Sequence, residues 1–265
     1  MQPLVSVCVL VYNHGKYLKQ CLDNILNQET TFPFEIIIHD DASLDNSTEI
    51  VREYATRHPK IIVPVIQTEN QYSQHQCVHK LYRDFLYPRV HGKYIAYCEG
   101  DDYWSSKHKL QKEVEILNEY DECHMCVHYA EVVHENGEKT GEGYPQKTMV
   151  GGKKSSYEFM KDLADGRFFH TSSFMTRYED IIDLINNIPD YYLISDVDDV
   201  PLLLYMGQKG DNYYLNESMS CYRRNSIGSW TERQKQDINR IIEHKWKMIE
   251  MYKSYDWFTS ENIGS

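Results

Sequence analysis

A chain of 265 residues with 41% hydrophobic residues can form one large α/β domain or two small ones, and length alone does not choose between them. Its 40 acidic and 28 basic residues give a formal net charge of −12, which argues against a general nucleic-acid binder, since those present a basic face to phosphates. Seven cysteines in apolar and helical contexts, no signal-peptide pattern and no long apolar window predict a cytoplasmic protein with reduced thiols, leaving open peripheral attachment to the inner face of a membrane.

The Val-rich run Leu4 to Val11 predicts a strand buried on both faces, ending in the loop "YNHGKY". Tyr17, Leu18, Cys21, Leu22, Ile25 and Leu26 then recur at helical spacing, and the helix closes near Gln28. A second strand, "FEIIIHD" (34–40), leads through the turn "DASLDNS" into a helix from about Asp45 to Arg57. A third strand at Ile61 to Gln67, a helix around 75–87 and a fourth strand at Lys93 to Cys98 follow. This alternation implies βαβ units: a Rossmann-like, mostly parallel sheet with helices on both faces and ligands at the carboxyl ends of the strands. Both "HDDAS" and "EGDD" fall at such ends.

After Lys107 a helix to about Tyr120 carries Leu110, Val114 and Leu117 on one face. A strand is expected from Met125 to Val133, and "ENGE" (135–138) signals a tight hairpin. "CHMCVH" (123–128) has the C-x-x-C spacing of a zinc half-site, but no second half-site follows, and a strand sends positions i and i+3 to opposite faces. The Gly- and Lys-rich stretch 138–156 reads as a mobile loop, followed by a helix near 156–165, a strand-like "FFHTSSFMT" and an acidic turn at "LISDVDDVPLLL". Ile238, Ile241, Ile242, Trp246, Ile249 and Tyr252 recur at helical spacing, which predicts a C-terminal helix packing this face on its own domain, with dimer or membrane contact as the alternatives.

Three acidic clusters, Asp40-Asp41, Asp101-Asp102 and Asp196/Asp198/Asp199, each follow an apolar run, and the first two should meet at one sheet edge. Convergent carboxylates repel unless a proton or cation joins them. Magnesium or manganese, held by one or two carboxylates and by substrate phosphates, would relieve that repulsion and admit a nucleoside diphosphate to an acidic cleft.

"VSVCVLVYNHGKYLKQCLDNILNQ", "EIIIHDDASLDNSTEIV" and "GKYIAYCEGDDYW", with "HTSSFMTR", "DDVPLLLYMGQKG" and "SCYRR" downstream, occur in the order found in family 2 glycosyltransferases of the GT-A fold, and residues 4 to 225 resemble bacterial polysaccharide-assembly members. The resemblance implies one GT-A unit over 1–225, with a nucleotide half at about 1–105, an acceptor half at about 106–225 and a helical extension at 226–265. It implies an inverting, metal-dependent transfer from a nucleoside-diphosphate sugar, UDP-linked in most members, to a saccharide or lipid-linked acceptor, with homodimerisation left open.

Carried over by position, the Tyr12-Asn13 turn and Asp41 would hold the nucleotide, Asp41 accepting from the uracil ring N–H; Asp40 would shape the turn or place the ribose. Asp101 would sit near the ribose and Asp102 would bind Mn2+ or Mg2+, while Glu99 stands where the metal element usually has Asp. Trp104 either stacks on a sugar or packs above the site; His170 and Ser172 match the sugar pocket, and Arg223 or Arg224 would assist the leaving group. Asp199 aligns with the general base, in competition with Asp196 and Asp198. Of the rivals, a dinucleotide-dependent dehydrogenase lacks its G-x-G-x-x-G, and a sugar-phosphate nucleotidyltransferase lacks its Gly-rich basic loop. A non-catalytic sugar-binding or scaffolding subunit would have no need for both Asp102 and Asp199.

Overall fold

A strand covered on both faces sends alternate side chains into two different cores. In the computed structural model, which describes residues 2–75, 77–146, 148–226, 229 and 237–262, strand β1 (Val5–Val11) does so. Val5, Val7, Val9 and Val11 enter one core with Leu18, Cys21, Leu22 and Ile25 of helix α1 (Leu18–Leu26), and Cys8 enters the other. Strand β2 (Phe34–Asp40) repeats the division, with Ile36 and Ile38 joining the first core and Ile37 the second; helix α2 (Ser47–Arg57) covers the first with Ile50, Val51 and Tyr54.

With β3 (Ile62–Ile66) and β4 (Tyr94–Glu99) these strands form the parallel order β3-β2-β1-β4. The chain runs outward from β1 to β3 and then returns to β1's other side, so the carboxyl ends of β1 and β4 flank a switch-point crevice. The helix expected around 75–87 is instead broken into α3 (Gln71–His75), α4 (Val78–Leu81), a π-helical turn at Tyr82–Leu86 and a 3-10 turn at Tyr87–Arg89. Cys77 is extended (φ −151°, ψ 118°), which no helix can pass through, and Pro88 sits in the first turn of the 3-10 segment, where its missing N–H costs nothing.

The chain then adds β5 (Tyr103–Trp104), α5 (Lys109–Glu119), β6 (Cys123–Val133), β7 (Lys139–Tyr144), β8 (Gly152–Lys154), α6 (Ser156–Ala164), β9 (Met175–Arg177), α7 (Tyr178–Asn186), α8 (Asp190–Ile194), α9 (Asp199–Lys209) and β10 (Asp211–Arg223). The sheet continues past β4 as β9-β6-β10-β5, with β9 antiparallel to both neighbours and β6 parallel to β10, making one mixed sheet.

Two expectations change here. The stretch read as a mobile loop carries β7, paired with β6 across a hairpin turned by Gly137 at φ 88°, and β8, paired with β10. Its glycines hide any alternation, and edge pairing supplies the order. "FFHTSSFMT" is a strand only from Met175; Thr171–Ser173 is a 3-10 turn in which the Ser172 N–H donates to His170 Nδ1 at 3.3 Å.

Helix α10 (Ile238–Asn262) packs on α8, but not by the face expected. Ile238, Ile242, Trp246, Ile249 and Tyr252 are exposed, whereas Met251 is buried and Met248 and Tyr255 pack against the core. His244, Met248, Met251 and Tyr255 form a second stripe at i, i+4, i+7 and i+11, and flexible methionines fill an irregular gap well. Residues 227, 228 and 230–236, where the extension expected from 226 begins, lie outside the described residues. Among the described residues no helix is long and apolar enough to cross a membrane.

Candidate active site

At the carboxyl end of β4 the chain turns through Gly100, where an added Cβ would lie 2.9 Å from His14 Nδ1 and 3.0 Å from Val11 Cγ2. The missing side chain lets Glu99, Asp101 and Asp102 converge, each offering an oxygen within 4.8 Å of the others. Asp102 Oδ1 accepts the Arg223 backbone N–H at 2.8 Å, and Asp101 Oδ2 accepts from Ser226 Oγ at 2.5 Å. The other oxygens, Asp101 Oδ1 and Asp102 Oδ2, are buried with no hydrogen-bond partner among the described residues. Burial, then the charges of Asp101 and Glu99, push the Asp102 carboxyl well above the usual carboxylate range. Hard carboxylate oxygens left unpaired in a desolvated, like-charged cluster fit a divalent cation, which would supply the missing positive charge.

Arg223, expected at the leaving group, is instead a buried strut. Its guanidinium donates to the carbonyls of Asp101 (3.0 Å) and Glu135 (2.6 Å) and to Gln20 Oε1 (2.7 Å), and it does not line the cavity beside the cluster. Arg224 pairs at the surface with Glu142 at 2.7 Å.

The ends of β1 and β2 form the neighbouring wall. Asn13 takes a left-handed φ of 58°, tolerated by Asn, and its Oδ1 accepts the Leu44 N–H at 2.7 Å, so it ties two loops together rather than facing the cavity. Asp40 is fully buried and accepts from Ser43 Oγ at 2.5 Å and from Thr48 Oγ1, which gives it the turn-shaping role. Asp41 accepts the N–H groups of Gln71 (2.7 Å) and Tyr72 (2.9 Å) at the start of α3 while facing the cavity.

The cavity, about 310 Å³, brings together Tyr12, Asp41, Glu99, Asp101, His170 and Asp199. His170 Nδ1 lies 3.7 Å from Asp102 Oδ2 and 2.9 Å from Ser172 Oγ, and burial pushes its pKa down to about 4. Ser172 is fully buried and braces this imidazole from behind. Trp104 is 1% exposed in the core below, with Lys109 Nζ 4.5 Å from its ring centre, so its position matches the packing reading. Sequence reasoning missed His14, whose Nε2 is 3.8 Å from Asp101 Oδ2, and the aromatic wall of Tyr144, Phe168 and Tyr222, with Tyr222 and His170 ring centres 4.3 Å apart. His14 sits inside "YNHG" and was open to notice. The aromatics come from three separate segments with no shared local pattern.

The third acidic cluster surrounds the start of α9. Asp198 and Asp199 line the cavity and Asp196 does not. Burial raises Asp198 to about 7 and Asp199 to about 6, the latter opposed by the Val200 N–H, which donates to Asp199 Oδ1 at 2.7 Å.

The model of the glycosyl transferase family 2 matches residues 6–183, more than half of the chain, including the motifs that end β1, β2 and β4. The chain belongs to glycosyl transferase family 2. Relatives of this family 2 chain include an uncharacterized protein of Mycobacterium tuberculosis, 32% identical over 234 residues, which cover 85% of this chain and 60% of that protein. Glycosyltransferase GlyG of Streptococcus pneumoniae is 36% identical over 102 residues, 38% of this chain and 31% of its own length. The chain thus spans at most about 60% of these relatives. Among solved structures, S. aureus TarS in complex with UDP superposes with a TM-score of 0.64 at 18% identity, covering 84% of this chain and 60% of that one. The mannosyltransferase PcManGT from Pyrobaculum calidifontis, in complex with GDP-Man and Mn2+, gives 0.61 at 19% identity, covering 94% and 65%. At such identities the likeness establishes the fold, a GT-A-like one, and no more.

Proposed function

We propose that this family 2 chain catalyses an inverting transfer of a sugar from a nucleoside-diphosphate sugar, UDP-linked, to a hydroxyl of a saccharide or lipid-linked acceptor. The observation that carries this reading is one cavity lined by Glu99 and Asp101 on one side and by Asp199 on another, with Asp102 buried behind the first two and offering an oxygen within 4.8 Å of theirs. Tyr12 and Asp41 would hold the nucleotide base and Asp101 would approach the ribose. Asp102, with Glu99, would hold Mn2+ or Mg2+, which when bound offsets the charge of the diphosphate leaving group. Asp199 would take the proton from the acceptor hydroxyl as that oxygen bonds to the anomeric carbon, and the bond to the diphosphate oxygen breaks on the opposite face. A position in the first turn of α9 favours its ionised form, as a base requires. Asp198, the N-cap, is its rival for the role.

TarS with UDP or UDP-GlcNAc and PcManGT with GDP-Man and Mn2+ support the choice of ligand class. The test is a thermal-shift panel of UDP-GlcNAc and GDP-mannose with and without MnCl2, followed by assay of nucleoside diphosphate release. Ligand binding raises the melting temperature, so a metal-dependent shift with at least one donor is expected. No shift with either donor in MnCl2 would sink the reading, and a shift without turnover would favour the non-catalytic sugar-binding subunit.

A further inference from the structure

Beyond the span matched by the family, α10 reaches the loop that carries the acidic cluster. His244 Nδ1 lies 2.7 Å from Asp196 Oδ1, Met248 Sδ lies 3.9 Å from Ser195 Oγ, and Tyr255 meets Tyr191 of α8 edge-on with ring centres 5.1 Å apart. Three aspartates within four residues repel one another, and the fold separates them. Asp196 turns away from the cavity to His244, Asp198 is hydrogen-bonded by Tyr192, and Asp199 stays at the cavity on its own helix terminus. The start of α9 lacks a side-chain capping bond from Asp198, so its N-cap does not set the loop's path. The ties on it are the Ser195 hydroxyl, which accepts the Val197 N–H at 3.2 Å, and, from outside the loop, Tyr192 on Asp198, Cys77 Sγ 3.6 Å from the Ser195 carbonyl, and His244 on Asp196.

We propose that His244 is a positioning residue: its bond to Asp196 pins the 195–198 loop so that Asp199 faces the acceptor hydroxyl, making α10 part of the catalytic apparatus. This rests on Asp199 being the base. A base must sit within hydrogen-bond reach of its proton, and a small displacement lowers turnover without touching donor binding.

The experiment compares His244→Ala, His244→Asn and Asp196→Ala, using release of nucleoside diphosphate from UDP-GlcNAc or GDP-mannose in MnCl2 together with amide hydrogen exchange. His244→Ala is expected to lower kcat about tenfold with donor KM within about twofold, and to speed exchange across 195–199 but not across 99–102. His244→Asn, which keeps an N–H near the Nδ1 position, should recover most of the turnover. Asp196→Ala, which takes the acceptor away where Asn would keep one, should match His244→Ala, and the double variant should be no worse, since both remove one bond. Unchanged exchange across 195–199, unchanged kcat, or a rise in donor KM parallel to the loss of kcat each overturns the proposal. Asp199→Asn is run alongside: if it keeps near-normal turnover the base assignment fails, whereas an inactive Asp199→Asn beside an unimpaired His244→Ala refutes only the role of His244.

Discussion

The backbone N–H of Arg223, 121 residues downstream, donates to Asp102 Oδ1 at 2.8 Å, so the last strand of the sheet closes on the acidic cluster at the end of β4. One carboxylate oxygen is thereby fixed by the backbone and the other is left toward Asp101 and Glu99.

Asp102→Asn removes a charge from a buried, repulsive cluster. A carboxyl whose folded pKa is raised favours folding less once pH exceeds its unfolded pKa, so near neutrality the metal-free variant should melt higher than the parent. It should also lose the stabilisation by UDP that MnCl2 adds. Melting curves with and without MnCl2 and UDP check both; an undiminished manganese effect would remove Asp102 from the metal.

Arg223→Lys should destabilise by about 2–4 kcal/mol in urea unfolding, because one ammonium cannot reach the carbonyls of Asp101 and Glu135 and the amide of Gln20 together. The bond to Asp102 comes from the backbone and survives, so manganese-dependent nucleotide binding should weaken less than in Asp102→Asn.

Asp41→Asn turns an amide NH2 toward either the Gln71 or the Tyr72 N–H, both of which the carboxylate now satisfies. Uridine nucleotides should bind about 1–3 kcal/mol more weakly by calorimetry, with faster amide exchange in α3. Unaltered uridine affinity would place the base elsewhere.

Turnover should depend on pH through the cluster at α9. Burial raises Asp199 to about 6 and Asp198 to about 7, and a general base works ionised, so kcat should rise with pH between about 5 and 7 and level above. In Asp199→Asn turnover should fall by at least ~100-fold and lose this limb. A profile flat down to pH 5 would argue against a carboxylate base here.

Lys109 and Glu113 form a fully buried pair at 2.6 Å, with His128 Nε2 3.9 Å from the second Glu113 oxygen. Glu113→Ala strands a buried ammonium and should cost about 3–5 kcal/mol in urea unfolding, whereas the apolar pair Lys109→Met with Glu113→Leu should cost much less. Equal losses in the two would mean that the side-chain volume, not the charge, holds α5 in place.

The strands β1, β2 and β4 and helices α1 and α2 were legible because a doubly buried strand and an amphipathic helix write their period into adjacent residues. "HDDAS" and "EGDD" could therefore be placed at one sheet edge before any contact was known. β7 and β8 could not, since glycine-rich strands owe their order to partners elsewhere in the chain. The α10 stripe was misread for a related reason: two faces of one helix were apolar enough to pack, and only the shape of α8 and its neighbours selects between them.

Periodicity and motif order were enough to read the α/β architecture, the family and the set of carboxylates from which a site could be drawn. Tertiary structure decided their fates, burying Asp40 among hydroxyls, leaving an oxygen of Asp102 unpaired, sending Asp196 to His244 and keeping Asp199 at the cavity. Aspartates are alike in a sequence; what separates them is lost water and the partner across the gap, and both come from segments distant along the chain.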